Sequence, residues 1–117
     1  MKKVYYLSTC DTCKRILKEI ELASDFVKQD VKKEALTEVQ LEELYALSQS
    51  YESLFNKRAK RYKEQDLKNK SLSEADYKNL LLEHYTFLKR PVFVIEDHIF
   101  IGNSKKTVEA LKKQLNS

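Results

Sequence analysis

Glycine and proline are almost missing from this chain: of 117 residues, Gly102 is the only glycine and Pro91 the only proline. Average usage would give about eight glycines. A phosphate loop of the Rossmann or Walker kind needs several, so that backbone N–H groups can close on a phosphate, and dinucleotide or P-loop nucleotide chemistry is therefore excluded. Long apolar runs are missing too. No window approaches the roughly 18 consecutive apolar residues of a membrane span, and the opening MKKVYYLSTC reaches a cysteine before a signal-peptide core can form. The expectation is a soluble cytoplasmic protein with no membrane partner. Cysteine is scarce: Cys10 and Cys13 are the only two, too close together to staple a fold, and without an export signal they read as redox or metal chemistry. Charge of one sign is not in large excess, since 22 basic and 18 acidic residues leave +4 on a chain that is 34% charged. That balance is too mild to imply nucleic acid, and no direct nucleic-acid contact is expected. What is present, 42% hydrophobic residues over the length of one domain, suffices for a single modest core without disulfide or metal staples.

Residues 3–8, KVYYLS, are rich in β-branched and aromatic side chains and end at polar STCDTC, which predicts a short strand running into a turn. From Asp11 onward, Cys13, Ile16, Leu17, Ile20 and Leu22 or Ala23 recur near the helical period, giving an amphipathic helix of about a dozen residues. DFVKQDV at 25–31 suits a second short strand, and a helical crossover makes the two strands parallel. Thr37 with Gln40, and Ser73 with Asp76, carry helix-start spacing. The first helix places Leu41, Leu44, Tyr45 and Leu47 on one face; the second carries Tyr77, Leu80, Leu81 and His84. Between them, SYESLFNKRAKRYKEQDLKNK is polar and basic with Leu54 and Phe55 as its anchors, and reads as short helices with turns. After Arg90-Pro91, VFVIEDHIFIG reads as a hairpin turning at Glu96, Asp97 and His98. Gly102 and Asn103 break the strand, and Ser104 caps a closing helix with Val108, Leu111 and Leu115 on one side. The order is β-α-β, a helical middle, then β-β-α, without repeats or linkers.

The strongest local signal is Cys10-Asp11-Thr12-Cys13 between the first strand and the first helix. A cysteine at a helix N-terminus faces unsatisfied N–H groups and the positive end of the macrodipole, both of which favour the thiolate. Cys10 is thus the expected low-pKa nucleophile, and Cys13, one turn later, is placed to resolve a mixed disulfide formed on it. Two ordinary thiols, with Cys13 buried on the apolar face, are the bland reading. A metal set of Cys10, Cys13, His84 and His98 matches no zinc-finger spacing, and no metal is expected. His84 is expected at a helix end, partly buried, and His98 in a hairpin turn. The stretch 56–63, NKRAKRYK, holds Lys57, Arg58, Lys60, Arg61 and Lys63 with no acid. It is either a solvated helix face or a site for an anionic substrate, a phosphate backbone or an acidic partner. Arg90-Pro91 before a central strand marks a special backbone position, a cis peptide or an ordinary strand-start proline.

Taken together, CDTCKRIL after the first strand, NKR in the helical insert, the RPVFVIED hairpin and the closing GNS-helix resemble the ArsC/Spx family over essentially the whole chain. This is the group of arsenate reductase-like, thioredoxin-fold proteins. The resemblance implies one α/β, thioredoxin-like (glutaredoxin-like) domain over residues 1–117 with a helical insertion at about 37–88. It implies that Cys10 is the nucleophile and Pro91 the family's cis-proline. Arg58 and Arg90 correspond to arginines that hold an oxyanion beside the thiolate, a task that forked guanidinium hydrogen bonds suit. Thr12, with Thr9 and Asp11, offers further loop groups to the anion. No bound cofactor is implied. The expected function is an ArsC-like thiol oxidoreductase, an arsenate reductase among the candidates, acting on a small oxyanion or a thiol/disulfide substrate. Its reductant would be glutathione, glutaredoxin or thioredoxin. The C-x-x-C pair also resembles the Spx branch, which implies the alternative of a redox-sensing regulator that binds RNA polymerase. The reductases carry a third arginine where this chain has Gly102 and Asn103, with Lys105 and Lys106 nearby.

Overall fold

A computed structural model describes residues 2–20 and 25–116. The chain forms two compact units, Met1–Glu34 with Arg90–Ser117, and Ala35–Lys89. The first unit is built from β1 (Lys2–Tyr6), α1 (Asp11–Glu19), β2 (Val27–Asp30), β3 (Val92–Ile95), β4 (His98–Ile101) and α5 (Lys105–Leu115). The second holds α2 (Glu38–Ser48), α3 (Lys60–Glu64) and α4 (Glu74–Glu83), with 3₁₀ turns at 52–54, 67–69 and 85–87.

The strands lie in the order β2-β1-β3-β4. β1 runs parallel to β2, with Lys3 opposite Val27, as the helical crossover demands. It runs antiparallel to β3, with Val4 opposite Phe93, and β3 pairs with β4 antiparallel, with Phe93 opposite Phe100. All four residues of β3 are buried, which explains why VFVI lacks the polar alternation of a half-exposed strand. One face of the sheet contributes Val4, Phe93 and Ile95 to a core that also contains Ile16 of α1, Phe26, and Val108 and Leu111 of α5. Phe26 and Phe93 meet edge to face with centroids 6.3 Å apart.

Three expectations need correction. α1 ends at Glu19 with Ile20 as its C-cap, so it is shorter than the apolar period suggests; Leu22 and Ala23 lie outside the described residues. The first two strands are each shorter than their β-rich segments. The hairpin turns on Glu96 and Asp97 alone, Glu96 taking a left-handed φ of 55°, and His98 is the first residue of β4, opposite Ile95.

In the helical unit both capping boxes form as spaced. Thr37 accepts from the Gln40 N–H while the Gln40 side chain accepts from Thr37, and Ser73 and Asp76 do the same for α4. Phe55 is the hub, stacked on Phe87 at 5.2 Å and edge-on to Tyr77 and Tyr62. Asn56 N–H donates to the Phe87 carbonyl at 2.7 Å, and Lys89 N–H to the Leu54 carbonyl at 2.8 Å. These bonds clip the 3₁₀ turn at 52–54 to the segment after α4.

Candidate active site

Cys10 is the N-cap residue of α1, with extended dihedrals (φ −95°, ψ 115°). The chain reaches it from β1 through a tight turn in which the Cys10 N–H donates to the Leu7 carbonyl at 3.0 Å. The Cys10 carbonyl then accepts from Lys14 N–H at 3.1 Å, opening the helix. Its side chain is half-buried, whereas Cys13, on the face of α1 turned to the core, is fully buried; both are free thiols. Asp11 and Thr9 are exposed and Thr12 is half-buried.

The two thiols are driven in opposite directions. Burial alone would raise the Cys10 pKa, but the Cys13 N–H, the Cys13 thiol, the Arg90 guanidinium and the Thr12 N–H outweigh it, and the thiol lies below its ordinary value. The neutral sulfur makes no cap hydrogen bond of ordinary geometry; charge on it is what these donors stabilise, and that attraction tolerates a longer approach. At Cys13 burial dominates. It is only partly offset by the Leu7 N–H, and the negative charge of Cys10 adds to it, so that Cys13 is pushed up to about 11. Of the two thiols Cys10 is therefore the more acidic and Cys13 the one that holds its proton more tightly.

Arg90 is half-buried immediately before the buried Pro91, and the peptide bond between them is cis. The Pro91 carbonyl accepts from the Gly102 N–H at 2.9 Å, which extends the β3–β4 ladder to the end nearest the thiols. Cys10, Cys13, Thr12 and Arg90 are thus brought together within the first unit. Arg58 belongs to the helical unit, exposed in the turn before α3, where its N–H donates to Asn56 Oδ1 at 3.0 Å. Among its basic neighbours Lys57 pairs with Glu52 at 2.6 Å, while Lys60, Arg61 and Lys63 are exposed. His84 caps α4, its Nδ1 accepting from the Thr86 N–H at 3.1 Å. Burial and the charge of Arg61 hold its pKa below the ordinary value. Among the described residues, no three His, Cys, Asp or Glu side chains converge in a way that could hold a metal ion, and no helix is long and apolar enough to cross a membrane.

Sequence reasoning missed Leu7, whose main chain faces both sulfurs' surroundings, and Asp30, whose carboxylate accepts from the Ser8 hydroxyl beside the thiol turn. No local signal marks either, because one acts through backbone and the other across 22 positions.

The model of the ArsC family matches residues 5–111. The chain belongs to the ArsC family. Solved structures agree with the membership. The solution structure of a Staphylococcus aureus protein is 28% identical with a TM-score of 0.73, over 94% of this chain and 97% of that one. The crystal structure of a possible arsenate reductase from Streptococcus mutans is 26% identical with a TM-score of 0.71, over 95% and 97%. An arsenate reductase from Vibrio cholerae, 17% identical, shares the fold with a TM-score of 0.76 over 95% of each chain. This ArsC-family chain thus has the thioredoxin-like mixed α/β fold expected of it. No curated protein sequence matches it.

Proposed function

We propose that this ArsC-family protein is a thiol oxidoreductase in which the Cys10 thiolate is the nucleophile and Cys13 the resolving thiol. The observation that carries the reading is the placement of the pair, a half-exposed thiol at the N-cap of α1, near Arg90, backed one turn later by a fully buried thiol; this placement favours charge on Cys10 and disfavours it on Cys13. Arsenate is the first oxyanion to test. Cys10 Sγ attacks the arsenic, an As–O bond breaks, and the oxygen leaves as water after protonation. Cys13, on losing its proton, attacks Cys10 Sγ; the S–As bond breaks with its electron pair going to arsenic. Arsenate is thereby reduced to arsenite and the two thiols are oxidised to a disulfide. With a mixed-disulfide substrate the same two attacks expel two thiolates in turn. A two-electron thiol reductant, glutathione, glutaredoxin or thioredoxin, restores the dithiol.

Arg90 would offset the repulsion between thiolate and oxyanion, and Thr12 would offer an N–H at the helix start. Arg58 is assigned the second guanidinium by family resemblance, and Pro91 the task of shaping the docking surface.

The test is pH-dependent alkylation of Cys10 in the wild type and in Cys13→Ser. Because Cys13 is buried, the fast phase reports Cys10. The expected result is a midpoint well below the free value of about 8.5, protection by arsenate, and loss of that protection in Arg90→Ala and Arg58→Ala. An ordinary midpoint with no protection by any oxyanion or disulfide would overturn the mechanism.

A further inference from the structure

The turn that delivers Cys10 is short and exposed at Thr9, and helix α1 begins only at Asp11. The Cys10 sulfur is therefore set by how the turn before the helix is held as well as by the helix that its carbonyl opens. Asp30 is buried at the end of β2, where a charged side chain is seldom found unless it is partnered. Its Oδ2 accepts from the Ser8 hydroxyl, and its Oδ1 accepts from the Lys32 N–H at 3.1 Å. The Ser8 N–H also faces it, and Lys33 supplies the nearby positive charge.

The backbone on both sides of this carboxylate is tied down as well. The Val31 N–H donates to the Tyr6 carbonyl at 2.9 Å, continuing the β1–β2 pairing past the strands. The Asp30 carbonyl accepts from Lys33 and Glu34 at 3.0 and 2.8 Å, which closes a turn directly after β2. The main chain at Asp30 is therefore tied on both sides, whereas Ser8 and Thr9 lie in the turn beyond β1. We propose that Asp30 is a positioning residue for the nucleophile: through Ser8 it anchors the Leu7–Cys10 turn to the end of β2 and so holds Cys10 at the mouth of α1. The anchored turn keeps the Cys10 sulfur where the Thr12 and Cys13 N–H groups and Arg90 can act on it. This inference rests on the thiolate reading, and it adds a part of the machinery that never touches substrate.

Three variants test it: Asp30→Ala, which removes the anchor; Asp30→Asn, which keeps an acceptor and removes the charge; and Ser8→Ala, which cuts the side-chain link at a half-buried position with little risk to folding. The readout is the Cys10 alkylation midpoint, with folding checked by circular dichroism. In Asp30→Ala the midpoint is expected to move up, lowering the thiolate fraction at pH values below both midpoints about tenfold for each pH unit moved, and the alkylation rate by less because the more basic thiolate is the better nucleophile. Asp30→Asn should fall between wild type and Asp30→Ala, and Ser8→Ala should move the same way by less. If the variants fold and melt earlier but the midpoint stays put, Asp30 is merely structural and the inference falls. A downward shift, equal in Asn and Ala, would mean that the carboxylate acts only by its charge and would also overturn it. Should Asp30→Ala not fold, Ser8→Ala decides between the same outcomes. An ordinary midpoint in the wild type itself would instead sink the thiolate reading, and this inference with it.

Discussion

A thiol at the N-cap of a helix and a thiol buried one turn later are shifted to opposite sides of the ordinary value, and both enter the stability of the fold. For Cys10 the folded pKa is lowered, so its contribution is fully present above the unfolded value and is lost as pH falls through the folded one. For Cys13 the folded pKa is raised to about 11; its contribution is full below the unfolded value of about 8.5 and is lost as pH rises toward the folded one. Urea unfolding between neutral pH and the alkaline limit should therefore show stability rising with pH just below the ordinary thiol value and falling above it. Cys10→Ser is expected to abolish the rise and Cys13→Ala the fall. The position of Cys10 was legible in the sequence because strand, polar turn and helix signals adjoin within STCDTCKRIL. Asp30 was not legible, since its partner Ser8 comes close only through parallel strand pairing. The uniformly polar EDH suggests a turn at His98, yet its backbone continues the ladder while its side chain is exposed.

Helix starts are the elements most faithfully written in this chain, because a capping box needs only residues three apart. Replacing Ser73 by Ala should cost about 1 kcal/mol in chemical denaturation, by leaving first-turn N–H groups of α4 without their side-chain acceptor. A larger loss, about 3–5 kcal/mol, is expected for Phe87→Ala, whose ring is fully buried against Phe55. If Phe87→Ala cost no more than the cap, the aromatic hub would not be the core of its unit. The short helices between residues 52 and 69 were legible only as a kind. Leu54 and Phe55 stood out as anchors, but Ala59 and Leu67 are also buried and no period reveals them in so basic a stretch. The end of α1 is not legible because an apolar period sets no endpoint; the Ile20 N–H closes on the Ile16 and Lys18 carbonyls although the apolar pattern continues.

At the scale of the whole chain, the order of elements and the mixed sheet were readable, whereas the pairing of β1 with β3 follows from no local pattern. Lys2 lies opposite Ile95, and the chain between them includes the entire helical unit. Loop-closure cost grows only with the logarithm of length, about 0.6 kcal/mol per doubling. Inserting a short flexible Gly/Ser segment after Lys70, in the exposed connection before α4, is therefore expected to lower stability by less than about 1 kcal/mol, as measured by urea midpoint. A much larger drop would show that this connection is under tension. The same topology orders events on the ribosome. Residues 35–89 are contiguous and emerge complete, so the helical unit has all its parts while the sheet still lacks β3 and β4. The nascent chain must then carry β1, one edge bare, until residues 90–101 arrive, and Arg90 joins the two thiols only at that moment. Cys10 and Arg90 are separated in time by the synthesis of the insert, so a half-made chain presents its cysteines with the donors of α1 in place but without the guanidinium that completes the set around Cys10.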